Sequence, residues 1–313
     1  QTDSIFAPAE KRVRALRRFL ADQGLAEVFN WSFSSVENET RSGMTTKTQD
    51  MVLLQNPLSE NYAGMRTTLV SGLYVTAAYN HKRGARGTAL FEIGPVYHGV
   101  ENEVLPEEPL HLGIILTGTV SGNWCQTERQ ADFYDIKGLL DALCRHVGRD
   151  VSLEELKNTA FQDGQGAAIK LGKRVVGHIG KTALSVSRSF DLPESTFVLE
   201  LNLTKIFEKQ LQPAQFEDIP QFPASLRDLA VVVDVILPAA AIISTIKNAG
   251  GPLLKKVEVF DVYTGKPLPP DKKSVALSLA FQSPERTLTD KDTEKAIERI
   301  VQKLQQQHGA ELR

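Results

Sequence analysis

The sequence predicts an α+β protein of two units. The larger is a mainly antiparallel sheet with helices against it, and the smaller has the order β-α-β-β-α-β. Three observations carry this. Strand-like segments come in runs with few interposed helices, which disfavours a doubly wound parallel sheet. The stretch "LQPAQFEDIPQFPAS", with Pro213, Pro220 and Pro223, interrupts the pattern and reads as a linker over residues 211–224. Beyond it, strand and helix signals alternate in the order of a split βαβ unit.

The elements follow in order. Pro8 opens a helix in which Val13, Leu16, Phe19 and Leu20 share one side, and Gly24 is placed to end it. "AEVFNWSFSS" and "MVLLQNPLSE" read as strands, the second ending at Pro57. "MRTTLVSGLYVTAAYNHKRG" predicts a helix from about Arg66, closed by a basic last turn and Gly84. "TALFEIGPVYHG" and "LHLGIILTGTV" are strands, "DFYDIKGLLDALCRHVG" is a helix, and "AAIKLG" and "RVVGHIG" flank a turn at Gly172 and Lys173 before the strand "TFVLELNL". After the linker come the strand "LRDLAVVVD", the helix "PAAAIISTIKNAGG" and the strand "LLKKVEVFDVY". A long turn, the strand Ser274–Gln282, a helix from Thr289 to about His308 and a short strand in "AELR" complete a ferredoxin-like unit. In Ser274–Gln282, Val275, Leu277, Leu279 and Phe281 share one face, which both helices must cover, so the small and polar face is left open.

Composition narrows the function classes. The chain has 313 residues, 42% hydrophobic and 24% charged, enough apolar material for two cores. A net charge of −2 provides no global positive field, so any nucleic-acid site must be local. Residues 213–313 carry 13 basic and 13 acidic side chains. Cys125 and Cys144 make no disulfide framework and suit a reducing, cytoplasmic setting. No apolar run approaches the roughly 20 residues of a membrane helix. The chain opens on Gln1 and not methionine, and is expected to be a piece of a longer polypeptide.

Few residues carry obvious chemistry. "GHIGKT" ends like a phosphate loop, but Val175 stands where that pattern requires glycine, so Gly177 and Gly180 read as turn positions. No two of the six histidines sit at i, i+4 spacing and no Cys-x-x-Cys accompanies them, so no metal site is expected. Arg286 lies at a strand-to-helix corner before the N-cap Thr289, with Asp290 and Asp292 in the first turn. Two readings stay open: a solvated pair with Asp290 or Asp292, or donors offered to a phosphodiester or a base. Arg227 at the first strand, and Lys272 and Lys273 in the loop before the third, extend a basic rim around the open face.

These segments resemble a known family. "FPASLRDLAVVVD", "VEVFDVYTGKPLPPDKKSVALSLAFQSPERTLTD" and "GAELR" resemble the ferredoxin-fold anticodon-binding domain of the β subunit of bacterial phenylalanine–tRNA ligase. "LQNPLSENYAGMRTTLVSGLYVTAAYNHKRG", "ALFEIGPVYHG" and "DFYDIKGLLDALC" look like the catalytic-like module of that subunit, so the resemblance covers nearly the whole chain in order. It implies a class II aminoacyl-tRNA synthetase-like antiparallel sheet over 1–210, inactive because the aminoacylation site belongs to the α subunit, and an anticodon-binding domain over 225–313. It also implies an α-subunit partner in an (αβ)₂ heterotetramer and tRNA(Phe). ATP and magnesium are used by the holoenzyme, with no cofactor bound by this chain. The sequence agrees with inactivity, since the strand "LFEIGPVYHG" has Glu92 but no arginine to hold ATP beside it, and Arg86 lies before the strand.

On this resemblance Arg227, Tyr263, Lys272, Lys273 and Arg286 are the expected tRNA contacts, with Tyr263 as a stacking surface. Arg66, Tyr79, Arg83 and Glu92 are the expected subunit-interface residues. The sequence departs from the family at Gln162, Asp163 and Gly164, where a His-Pro-Gly-Arg-like run is usual. The family's editing reaction and magnesium-binding acidic residues lie in modules outside this sequence. Two alternatives stand beside this reading: a regulatory protein whose ferredoxin-like unit holds a small ligand, and a self-sufficient ligase.

Overall fold

The computed structural model describes residues 8–44, 51–100, 105–120, 124–125, 127–208 and 220–313. Residues 211–219 of the expected linker lie outside them. The chain divides into two compact units, Gln1–Pro213 and Ala214–Arg313.

The first unit begins with α1 (Pro8–Asp22), β1 (Ala26–Glu27), β2 (Phe33–Ser34), α2 (Val36–Arg41), β3 (Gly64–Met65) and α3 (Val70–Lys82). It continues through β4 (Gly87–Pro95), β5 (Leu110–Val120), β6 (Arg129–Gln130), α4 (Phe133–His146), β7 (Ser152–Glu155), β8 (Phe161–Leu171), β9 (Arg174–Thr182), α5 (Leu184–Ser189), β10 (Thr196–Asn202) and α6 (Leu203–Phe207). Its main sheet runs β1-β4-β5-β10-β9-β8-β7, with β6 paired to β5. Only β1 with β4 is parallel, so the sheet is mixed but dominated by antiparallel pairs. Side chains alternate across it. Phe91, Ile93, Leu112, Ile114 and Leu199 pack with Leu16 and Leu20 of α1 and Ile136 and Leu140 of α4. Leu90, Ile115 and Val198 pack on the opposite face with Leu73, Tyr74 and Ala77 of α3.

Several sequence expectations for this unit need correction. "MVLLQNPLSE" is no strand: Met65 N–H donates to Val52 O and Leu54 N–H to Ala63 O around one isolated bridge, Leu53 to Gly64. The 3₁₀ turn Glu60–Tyr62 begins too soon for a ladder to continue. "AEVFNWSFSS" splits into two-residue strands, because the chain leaves the sheet at Phe29–Trp31. Gly177 and Gly180 lie inside β9 and not in a turn. A Cβ on Gly177 would stand 2.1 Å from Glu200 O, and one on Gly180 2.6 Å from Gln165 O, so neighbouring strands approach too closely for any side chain.

The second unit contains β11 (Ser225–Asp234), α7 (Ala239–Gly250), β12 (Leu254–Tyr263), β13 (Lys272–Phe281), α8 (Asp290–His308) and β14 (Glu311–Leu312). The sheet order is β12-β13-β11-β14, antiparallel throughout. Pro238 opens α7, and Thr289 with Asp292 forms a capping box on α8, which ends at Gly309 in the left-handed conformation. Val275, Leu277, Leu279 and Phe281 are fully buried beneath Ile242, Ile246, Ile300 and Leu304. On the other face Ala276, Ser278 and Ala280 stay half-buried, as the alternation predicts, while Ser274 is buried. Phe281→Ala is expected to cost this unit about 3–5 kcal/mol through the cavity it leaves, read as a lower unfolding midpoint in urea with an unchanged slope.

Candidate functional site

Two surfaces gather the expected residues. On the second unit, β11, β13 and β12 present Asp228, Ala230, Val232, Ala276, Ser278, Ala280, Lys256 and Glu258 on the uncovered face. At one end of that face, opposite Ser274, stands Tyr263, and the Tyr263 hydroxyl donates to Lys266 O at 2.6 Å. Lys272 beside it pairs with Asp234 at 2.6 Å. Arg313 adds a cation the sequence reading missed, its guanidinium 5.4 Å from the Tyr263 ring centroid.

The basic rim expected around this face does not close. Lys272 and Lys273 are the first residues of β13, not part of a loop, and alternation turns them apart. Lys273 falls on the helix-covered side with Val275, and burial holds its ammonium below the ordinary lysine value. Arg227 also alternates toward the covered side, with Leu229 and Val231, and binds Asp290 at 2.5 Å. It sits opposite Leu279, whereas Lys272 sits opposite Asp234. Seven residue steps along β11 separate these two ends, about 23 Å.

Arg286 occupies the Arg227 end. Its two terminal nitrogens donate to both oxygens of Asp292, at 2.8 and 3.0 Å, and Asp292 also accepts from Thr289 N–H at 3.0 Å. The Arg286 guanidinium is held above its usual value by the hydrogen bond to Asp292. Asp292 is held well below the ordinary carboxylate range by Arg286 first, then by Thr289. The capping carboxylate thus serves the helix and the arginine together. A bidentate pair leaves other guanidinium donors facing solvent.

On the first unit, α3 presents Tyr79 and Arg83, with Arg83 Cζ 3.4 Å from the Tyr79 ring centroid. Trp31, Phe29 and Val75 are also largely exposed. Asn30, between the two aromatics, receives a hydrogen bond from Thr76 Oγ1 at 2.6 Å, which ties that turn to α3.

Arg66 and Glu92 do not join this surface. Arg66 Nη1 meets Glu92 Oε1 at 2.6 Å with side chains only 6% and 3% exposed, and Arg66 Nε donates to Pro95 O at 2.9 Å. The sequence places no arginine beside Glu92 in its strand; the fold brings one from 26 residues away. Both charges are consumed inside the unit, because a buried carboxylate must be paired.

That pair is one part of a larger clamp that sequence reasoning missed. Glu39 of α2, fully buried, accepts from Thr67 N–H, Thr67 Oγ1 and Ser71 Oγ. Glu200 of β10, also buried, accepts from Thr68 Oγ1 at 2.6 Å, Leu69 N–H at 2.9 Å and His111 Nδ1 at 3.0 Å. Burial pushes the Glu200 carboxyl up, but His111, Thr68 and Leu69 outweigh it and hold it below the ordinary glutamate value. Because residues 66–69 are gripped in this way, α3 starts at Val70 and not near Arg66. No local signal reveals Glu39 or Glu200, whose partners lie 28 to 132 residues away.

The Asp292 shift has a pH consequence. A carboxylate depressed on folding stabilises the fold above its unfolded value, near 3.8, and that contribution erodes as pH falls through the folded value. Asp292→Asn is therefore expected to lower the melting temperature of the second unit at pH 7, with the gap to the parent chain narrowing progressively below about pH 4 in thermal melts.

Residues 2–203 match the family model described as the phenylalanyl tRNA synthetase beta chain CLM domain. Residues 220–313 match the ferredoxin-fold anticodon binding domain. Among curated proteins, the chain is 38% identical over 309 residues to a phenylalanine–tRNA ligase beta subunit of Geobacillus kaustophilus, covering 98% of this chain and 38% of that one. It is 38% identical over 311 residues to the corresponding subunit of Moorella thermoacetica, covering 98% and 39%. For the subunit of Symbiobacterium thermophilum the figures are 36% over 303 residues, covering 96% and 34%. The chain thus spans under two-fifths of the length of these relatives. A solved pyrrolysyl tRNA synthetase from Desulfitobacterium hafniense superimposes with TM-score 0.49 and 13% identity over 64% of this chain and 65% of that one, too distant to carry an argument. With most of its length matched by the first family model and relatives aligned over nearly all of it, the chain belongs to the phenylalanyl tRNA synthetase beta chain family.

Proposed function

We propose that this chain supports ATP-dependent attachment of phenylalanine to tRNA(Phe) without performing the chemistry. Its first unit docks the α subunit within an (αβ)₂ heterotetramer in the cytoplasm, and its second unit binds the anticodon region. ATP and magnesium act at the α subunit, and the isolated chain forms no aminoacyl-tRNA. The observation that carries the reading is the open sheet face of the second unit, bounded by Tyr263 at one end and the Arg286 corner at the other, on the segment matched by an anticodon-binding domain.

The chemistry of that face decides how RNA would be held. The small side chains Ala276, Ser278 and Ala280 let a flat base approach the strands, and Tyr263 supplies a stacking ring. Asp228 and Glu258 offset Lys256 and Lys272 there, so phosphate pairing falls to the edges, where Arg286 remains largely exposed. The docking half rests on α3 and the adjoining turn, whose Trp, Tyr, Phe and Arg composition is that of interface anchors. The Arg66–Glu92 pair is buried, with side chains 6% and 3% exposed, so neither charge is presented to a ligand; the inactivity of this unit therefore rests on the resemblance and not on a missing arginine.

Titration of tRNA(Phe) against the chain tests the RNA half. Arg286→Ala and Tyr263→Ala are each expected to weaken binding by about 1–3 kcal/mol, and added salt should erode the parent affinity. Unchanged affinity with a lowered melting temperature would make both residues structural. Sedimentation with purified α subunit tests the other half. A stable complex is expected, weakened at least tenfold by the pair Tyr79→Ala and Arg83→Ala, and a chain that sediments alone beside α would remove the docking claim.

A further inference from the structure

Phe29 and Trp31 are 77% and 73% exposed, on the turn that leaves the sheet after β1. The residue between them is bonded at four points. Asn30 Nδ2 donates to Glu92 Oε2 at 2.7 Å, and its backbone N–H donates to Glu92 Oε1 at 3.3 Å. Its Oδ1 accepts from Thr76 Oγ1 at 2.6 Å, and its carbonyl accepts from Arg66 Nη1 at 3.4 Å. A carboxylate only accepts, so the amide nitrogen must face Glu92, which leaves the amide oxygen for Thr76. Aspartate there would set a second carboxylate against a buried one. An apolar residue would strip a partner from both Glu92 and Thr76.

The same side chain lies close against α3. A Cβ on Gly72 would stand 3.1 Å from Asn30 Cβ, so the helix leaves room for the turn at that position. Gly72, Thr76, Tyr79 and Arg83 follow one another at spacings of four, three and four residues, which is one helix face. From α1, the Arg17 guanidinium lies 6.0 Å from the Phe29 ring centroid. We infer that Asn30 is the positioning residue of the α-subunit docking surface. It takes its footing from the buried Arg66–Glu92 pair and fixes Phe29 and Trp31 beside the face that carries Tyr79 and Arg83. The partner then meets aromatic anchors that are already ordered, which lowers the entropy cost of association. This inference rests on the docking reading given above.

The chain has two tryptophans, so labelling with fluorotryptophan gives two fluorine NMR signals, assigned by Trp124→Phe. The Trp31 signal is expected to shift and broaden as unlabelled α subunit is added. Thr76→Val removes the donor to Asn30 Oδ1. It should narrow the Trp31 line in the free chain, as the turn loosens, and weaken α binding at least tenfold by calorimetry. Thr76→Ser keeps the hydroxyl and should restore both the line width and the affinity. Trp31→Ala should also weaken α binding at least tenfold, with little change in melting temperature, because the side chain is exposed. A chain that binds no α overturns the docking reading and this inference with it. A chain weakened by the pair Tyr79→Ala and Arg83→Ala, but not by Thr76→Val or Trp31→Ala, overturns this inference alone.

Discussion

The first unit depends on three buried carboxylates closing on one short segment. Glu92 holds Arg66, Glu39 holds Thr67 and Ser71, and Glu200 holds Thr68 and the Leu69 N–H. Each comes from a different element, β4, α2 and β10, so the segment is fixed from three sides. Buried charges tolerate little displacement, because any loosened pair leaves an uncompensated ion in a low-dielectric interior. The orientation of α3 and the placement of Tyr79 and Arg83 on its surface follow from this grip. The cost of desolvating three glutamates is offset by the number of donors each one collects.

The same clamp decides what occupies the middle of the sheet. Glu92, Gly113 and Glu200 lie side by side across β4, β5 and β10. A Cβ on Gly113 would meet Leu73 Cδ1 at 2.8 Å and Leu69 Cβ at 3.0 Å, so the start of α3 rests directly on that row. The middle of the sheet is filled by the chain itself, and the polar groups that line it are spent on holding the chain there. The cavity beyond, beside His111, stays open.

The second unit separates its tasks by face. One side of β13 is sealed by α7 and α8, and the other carries side chains too small to cover the backbone. Its charged groups are paired in ways that serve the fold first: Arg227 with Asp290, Arg286 with Asp292, Lys272 with Asp234. Exposed pairs of this kind add little stability. They do keep each guanidinium or ammonium in a defined place, where its remaining donors can meet a ligand.

What the sequence by itself determined was the periodic part. The strand alternation in Ser274–Phe281, the caps at Pro238 and Thr289, the turn at Gly172 and the βαββαβ order are all local signals, and all are present in the structure. What only the tertiary structure decided was pairing at long range. It turned Arg66 and Glu92 inward, sent Lys273 and Arg227 to the covered side, and brought Glu39, Glu200 and His111 to the start of α3. The reason is physical: propensity and periodicity act within a few residues, whereas the partner that satisfies a buried charge is selected by the packing of strands distant in sequence.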